Sequence, residues 1–443
     1  MNQIRSLYFS SRFWVIFVIL TLLFVASYIF PIWFGIVKLV FGVTVGLVLV
    51  DGFLLFQKKE GIFSRREVAD RLSNGDANPI TIYIQNNYPF GANIEVIDEI
   101  PHQFQKRDVL FEAVVPSNQT QLLRYELRPT LRGEYSFGAV NVFAKSPLGL
   151  LKQRYQFSQN KVVAVYPSFL QMRQYELLAI SNRLTEFGIK KIRRIGHSME
   201  FEQIRNYVAG DDVRTVNWKA TARRNTLMVN AFQDEKSQGV YCLIDKGRVM
   251  QSPFEGLTLL DYAINASLVL SNIALLKQDK VGVVTFSDVM GQVVLAERKI
   301  GHLQRIMEVL YKQKTRFLET NYQALYSYTK TQIRQRSLLL LFTNFETVNS
   351  LQRQLPYLRQ LAKDHLLIVV FFENTETNEL LHRPAISTEQ VYLKTIAERF
   401  RQEKQYIVRE LERYGIQSIL TAPKDLNANT VNKYLELKAR GRI

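Results

Sequence analysis

Residues 240–245 read VYCLID, an apolar run that stops on an aspartate. A strand-then-helix rhythm follows it. An apolar stripe through Leu260, Ala263, Ile264, Leu268, Ile273 and Leu276 predicts a helix over 256–277. Residues 281–286 form a continuous β-branched run suited to a strand buried on both faces. Further strands are predicted at 338–342, 365–372 and 416–420, and helices at 300–312, 321–335, 347–362, 388–414 and 427–439. Alternation of this kind makes 237–443 an α/β domain, a doubly wound parallel sheet covered by helices. Ligands of such sheets bind beyond the strands' carboxyl ends, where Asp245, Ser287-Asp288 and Thr343-Asn344 fall.

Upstream, residues 196–224 read GHSMEFEQIRNYVAGDDVRTVNWKATARR. Glu200, Arg205, Asp211, Asp212, Arg214, Lys219, Arg223 and Arg224 alternate in sign around Phe201, Tyr207 and Trp218, with Gly210 among them. The mixture suits bidentate Arg–carboxylate pairs stacked on rings. Two readings stay open: an ion-pair lattice joining domains across 169–236, and a recognition surface. Were Arg214 a buried member of such a lattice, its removal would cost on the order of 3–5 kcal/mol.

Before this segment the period changes to two. Ile80-Thr81-Ile82-Tyr83-Ile84 alternates, and short strands are predicted at 92–98, 109–115, 121–127, 134–143 and 161–166. Regular short strands indicate a small β-sandwich over 76–168. The polar stretch 57–75 reads as a linker.

The chain opens with 1–12 and two apolar segments, FWVIFVILTLLFVASYIF at 13–30 and WFGIVKLVFGVTVGLVLVDGFLLF at 33–56, separated at Pro31. Each is long enough to cross a bilayer, so 13–56 reads as a transmembrane hairpin. Arg5 and Arg12 precede it and Lys58, Lys59, Arg65 and Arg66 follow, so the positive-inside rule places both termini and the body in the cytoplasm. A cleaved signal peptide is the minor alternative. Lys38 can snorkel, and neither it nor Asp51 demands a transport role.

Composition narrows the rest. Of 443 residues 47% are hydrophobic, which argues for ordered cores. Cys242 is the one cysteine, so no intrachain disulfide forms, and the five histidines are scattered. A formal charge of +17 attracts polyanions: anionic lipid headgroups, an acidic protein or nucleic acid. No Walker, dinucleotide-binding, H-E-x-x-H or G-x-S-x-G motif is present.

The strand ending in Asp245 resembles the start of a von Willebrand factor A domain. The hairpin, RGEYSFG (132–138), SPLGLL (146–151), RTVNWKATAR (214–223) and YLELKARGRI (434–443) together resemble domain-of-unknown-function family fifty-eight, a family of bacterial membrane-anchored proteins. That resemblance implies a MoxR-type AAA+ ATPase as partner. The A domain also implies a divalent cation held by D-x-S-x-S, a threonine and a further aspartate. Asp245 and Thr320 match this pattern, Gly247 and Val249 replace the serines, and Asn344 replaces the aspartate. So degenerate a set is not expected to retain Mg²⁺. Lys246 or Arg248 could take the cation's place, or Asp245 could simply cap the following helix or pair with Arg248.

The reading that results is a non-enzymatic, membrane-anchored adaptor without a cofactor, acting in protein assembly or envelope maintenance. A metal-dependent hydrolase using Asp211, Asp212 and Glu200 is the alternative, and a nucleic-acid binder built on Lys190, Lys191, Arg193 and Arg194 ranks last.

Overall fold

A computed structural model describes residues 6–58, 60–106, 110–180, 200–209, 211–233, 238–382, 384–385 and 387–443. They fall into two units, Met1–Tyr166 and Pro167–Ile443.

In the first unit, strand Leu7–Phe9 (β1) leads into helices Ser11–Ile29 (α1) and Phe34–Phe56 (α2), joined by a 3-10 turn at Pro31–Trp33. Ser10 caps α1 by accepting the Phe13 amide at 3.3 Å. Pro31 cannot supply an amide to continue α1, so the chain turns there. Only 11% of either helix's most apolar window is buried, which leaves apolar side chains facing outward as lipid contact requires. The helices differ in length, 19 against 23 residues. The surplus of α2 enters the body of the unit, where Asp51 and Leu55 are fully buried.

Among the described residues ten strands follow: Ile62–Glu67 (β2), Arg71–Ser73 (β3), Asn78–Asn86 (β4), Ala92–Asp98 (β5), Leu110–Val115 (β6), Thr120–Leu127 (β7), Gly133–Phe137 (β8), Val140–Lys145 (β9), Leu151–Phe157 (β10) and Lys161–Tyr166 (β11). They form sheets ordered β1-β10-β9-β5-β6, β2-β4-β7 and β3-β11-β8. Alternate residues of all three, among them Ile80, Ile82, Ile94, Val142 and Val163, meet in one core that also takes in Leu55.

Three expectations change here. The stretch 57–75 is not a linker, because β2 and β3 lie within it. The expected strand 134–143 divides at Gly138, where Glu99 grips the kink: its carbonyl accepts the Gly138 amide at 2.9 Å and its carboxylate the Ala139 amide at 2.9 Å. The two halves therefore enter different sheets. Residues 7–9, expected in a cytoplasmic tail, pair antiparallel with β10.

The second unit opens with helix Phe169–Ile180 (α3), strand Glu200–Asn206 (β12), helix Trp218–Arg224 (α4) and strand Met228–Gln233 (β13). Next come Gly239–Asp245 (β14), the short pair Pro253–Phe254 (β15) and Leu257–Thr258 (β16), Leu259–Leu276 (α5), Lys280–Phe286 (β17) and Met290–Glu297 (β18). The chain continues through His302–Tyr311 (α6), Tyr322–Gln332 (α7), Leu338–Phe342 (β19), Val348–Asp364 (α8) and Leu366–Phe372 (β20). It ends with Thr375–His382 (α9), Thr388–Arg413 (α10), Gln417–Thr421 (β21) and Leu426–Ala439 (α11).

The main sheet is ordered β18-β17-β14-β19-β20-β21, parallel except for the antiparallel edge strand β18. Its two faces carry separate cores. Val240, Cys242 and Ile244 pack with α5, α6 and α11, whereas Tyr241 and Leu243 pack with α7, α8 and α10. Helix α5 is also long and apolar enough to cross a membrane, but 83% of it is buried, so it is a core helix. Helix α3 lies within 169–236, expected as a joining segment, yet packs on α5 with the Ser168 amide bonded to Asn265 at 2.9 Å.

Candidate functional site at the carboxyl edge of the sheet

Asp245 ends β14 where the winding of the sheet reverses between β14 and β19, the position at which open α/β sheets place ligands. It is 1% exposed. Three groups among the described residues donate to its carboxylate. The Gly247 amide reaches Oδ1 at 2.8 Å, the Thr320 hydroxyl reaches Oδ1 at 2.6 Å, and the Thr343 hydroxyl reaches Oδ2 at 2.8 Å. With its own proton committed to Asp245, Thr343 accepts from the Tyr322 phenol at 2.7 Å. Burial pushes the Asp245 carboxyl above its ordinary range, against the pull of these hydrogen bonds. Burial and the neighbouring carboxyl likewise push the Tyr322 phenol well up.

Gly247 shapes this arrangement. A Cβ there would stand 2.0 Å from Thr320 Oγ1, so the absence of a side chain lets the Thr320 hydroxyl close onto Asp245. The expected Thr320 thus meets Asp245 as a hydrogen-bond donor. Asp245 pairs with neither Arg248 nor a helix amide and instead caps the turn at Gly247. Among the described residues no group of three or more His, Cys, Asp or Glu could hold a metal. A single carboxylate saturated by hydroxyl and amide donors does not suit Mg²⁺, which favours several oxygen acceptors in near-octahedral array.

Asn344 does not join Asp245. Its Oδ1 accepts from Lys404 Nζ at 2.8 Å, and the Phe345 carbonyl accepts from the same ammonium at 2.6 Å. Neighbouring residues at a strand end point to opposite sides, so Thr343 faces Asp245 while Asn344 faces α10. Burial lowers the Lys404 ammonium to about 8, with Glu346 and Glu373 opposing that shift. Lys404 lines a cleft of about 650 Å³ together with Phe254, Asn344, Glu346, Glu373 and Phe400. Tyr322 and Lys404 were not legible as site residues, whereas the strand-end pair Thr343-Asn344 pointed here. On the other side of Asp245, Lys246 is half-buried and its ammonium is lowered by burial and by Arg316.

The charged motif behaves differently from the expected lattice. Arg205 grips Asp211 in a bidentate pair at 2.6 and 2.8 Å, and the Val208 amide adds a bond to Asp211 at 2.9 Å. Arg205 holds the Asp211 carboxyl below its usual range. Asp212 instead caps the next turn through the Arg214 amide at 2.9 Å. The adjacent carboxylates therefore serve separate partners. Arg214, Lys219 and Arg223 are exposed, Tyr207 is half-buried, and Trp218 is 70% exposed. Asn217 caps α4, and the motif's strands β12 and β13 form an antiparallel hairpin. Gly210, the side chains of Glu200 and Phe201, and the basic cluster at 190–194 lie outside the described residues.

Residues 203–410 match the family model described as "Protein of unknown function DUF58". Over 208 residues the chain is 29% identical to the uncharacterized protein YeaD of Bacillus subtilis (strain 168), covering 45% of this chain and 51% of that one. It thus spans about half the length of that curated relative. Among solved structures, the CARDB domain of the PF1109 protein from Pyrococcus furiosus is 12% identical, with a TM-score of 0.17 over 24% of this chain and 86% of that one. Proximal thread matrix protein 1 from the mussel byssus is 13% identical, with a TM-score of 0.27 over 44% and 46%. At such scores neither likeness bears on function.

Proposed function

We propose, from the premise that the chain belongs to the DUF58 family over residues 203–410, that it is a membrane-anchored interaction protein and not an enzyme. The hairpin fixes it to the bilayer, with the body on the cytoplasmic side by the distribution of basic residues. The β-sandwich orients it, and the α/β domain receives a protein partner at its carboxyl edge.

The observation that carries this reading is the pairing of a closed Asp245 with a half-buried Lys404 on Asn344. The strand order with an antiparallel edge strand supports an A-domain-like sheet. In such a domain a cation at this edge receives a carboxylate from the partner. Here the Lys404 ammonium supplies positive charge where the third-loop ligand would stand, and two of its three protons are already committed to Asn344 and Phe345. An acidic group on the partner would take the third. A MoxR-type AAA+ ATPase is the partner that the family resemblance suggests, and the charge of +17 favours acidic surfaces.

Co-elution of the intact protein, in mild detergent, with a purified MoxR-type ATPase tests the proposal. Wild type is expected to retain the ATPase and Lys404→Met to lose it without a loss of fold. Equal retention by both proteins, or tight Mg²⁺ binding that disappears in Asp245→Asn, would overturn it.

A further inference from the structure

The first unit carries a polar cleft of its own where the first membrane helix begins. About 510 Å³ of open space is lined by Ser10, Arg12, Asn93, Glu95, Glu112 and Lys145, among others, a size that suits a small ligand. Helix α1 fixes its depth in the membrane. Its 19 residues rise about 28 Å, close to the roughly 30 Å of bilayer hydrocarbon. Ser10 and Arg12 therefore stand at headgroup level. Phe9 stacks on Phe13 at 4.3 Å beside the exposed Trp14, an aromatic group of the kind that favours this depth.

The charges around the cleft are unevenly matched. The register of β5 and β6 sets Glu95 opposite Glu112, an unfavourable like-charge pair unless one is neutralised. Glu95 is neutralised twice, by Lys145 and by Lys152 at 2.7 Å. Glu112 and Arg12 have no hydrogen-bond or ion-pair partner among the described residues. Gly149 leaves room for Arg12, since a Cβ there would lie 3.2 Å from Nη1. One cleft thus offers an unpaired guanidinium and an unpaired carboxylate at the level of lipid headgroups.

We infer that this cleft binds the headgroup of a zwitterionic aminophospholipid, a phosphoethanolamine group, with its phosphate on Arg12 and its ammonium on Glu112. Guanidinium matches phosphate bidentately, and a primary ammonium donates to a carboxylate. Choline has no N–H to give Glu112, and phosphatidylglycerol has no cation. The inference rests on the membrane anchor and is independent of the partner proposed for the α/β domain.

Native mass spectrometry of the intact protein in mild detergent, after exposure to equal amounts of phosphatidylethanolamine, phosphatidylcholine and phosphatidylglycerol, tests it. Wild type is expected to retain one phosphatidylethanolamine at least about fivefold over the others, roughly a 1 kcal/mol preference. Glu112→Gln should erase the preference over phosphatidylcholine while still retaining phospholipid. Arg12→Gln should lose all three. Competition by soluble O-phosphoethanolamine would identify the free headgroup as sufficient, and undiminished lipid retention in its presence would identify the bilayer lipid. Because Glu112 lies in the sandwich, its variant remains informative if Arg12→Gln fails to insert. No retention by wild type, equal retention of phosphatidylglycerol, or an unchanged preference in Glu112→Gln would overturn the inference.

Discussion

Asp51, in the apolar helix α2, accepts the backbone amide of Leu151 at 2.7 Å. It also accepts the Leu150 amide at 2.9 Å and the Ser146 hydroxyl. From the other helix, the Ser10 hydroxyl donates to the Gly149 carbonyl at 2.6 Å, and its amide to the Leu150 carbonyl at 3.0 Å. The SPLGLL stretch at 146–151 is therefore the joint that locks both membrane helices to the sandwich. Three donors that need its oxygens account for an aspartate in an apolar helix.

Replacing Asp51 with alanine strands those buried donors, at about 1–3 kcal/mol for each one left unmet. A clear drop in melting temperature in detergent is expected for Asp51→Ala, with a smaller drop for Asp51→Asn, which keeps one acceptor oxygen. Unchanged melting of Asp51→Ala would show that the joint does not hold the unit together.

Gly247→Ser would force its Cβ against the Thr320 hydroxyl. Overpacking of this kind costs about 1–3 kcal/mol. Thr320→Ala added to it should recover part of the loss, so denaturant titrations of the two single variants and the double variant should be non-additive. Strict additivity would mean that Gly247 and Thr320 do not compete for the same space.

Lys404 gives a pH signature. Its folded-state value of about 8 lies below the ordinary 10.5, so between these values the unfolded chain holds the proton that the folded chain has released. Stability contributed by this residue therefore rises with pH across that window, by on the order of 3 kcal/mol in total. Above pH 10 the buried Tyr322 and Tyr434 phenols, both raised, act in the opposite sense. Denaturant titrations at pH 7.5 and 9.5 should differ in wild type and converge in Lys404→Met. Under the proposed function, retention of an acidic partner should weaken over the same rise in pH.

Cys242 should be inert while the protein is folded, since burial pushes its thiol up to about 12. Thiol labelling at neutral pH is expected only after denaturant is added. Rapid labelling of the native protein would contradict the packing of β14.

Trp218 should report solvent, being 70% exposed. In a background with Trp14 and Trp33 replaced by phenylalanine, its emission is expected to be red and readily quenched by iodide. Trp218→Ala and Arg214→Ala should leave the melting temperature unchanged. A blue-shifted, protected emission would return the motif to the buried lattice expected from its composition.

The paired apolar segments and the strand–helix rhythm after 237 could be read directly, because each depends on residues close in sequence. What escaped depends on distant partners. Strand β2 looked like linker because Arg66 interrupts its apolar alternation, yet that arginine is buried against Asp98, with Tyr125 bonded to the same carboxylate. The role of Asp51 depends on amides about a hundred positions away. At the carboxyl edge Asp245 was legible as a strand-end carboxylate and Thr320 through the resemblance to the A domain, whereas the exchange between Thr343 and Asn344 turns on which way two adjacent side chains point. Sequence spacing does not record that.

Pairing of β1 with β10 has a consequence for biogenesis. The leading strand can zip onto the sandwich only when it and the later strands emerge in the same compartment. A hairpin threaded with its first segment reversed would leave Leu151–Phe157 without its outer neighbour and Ser10 out of reach of Gly149. The complete sheet is thereby compatible only with an insertion that returns both flanks of the hairpin to one side.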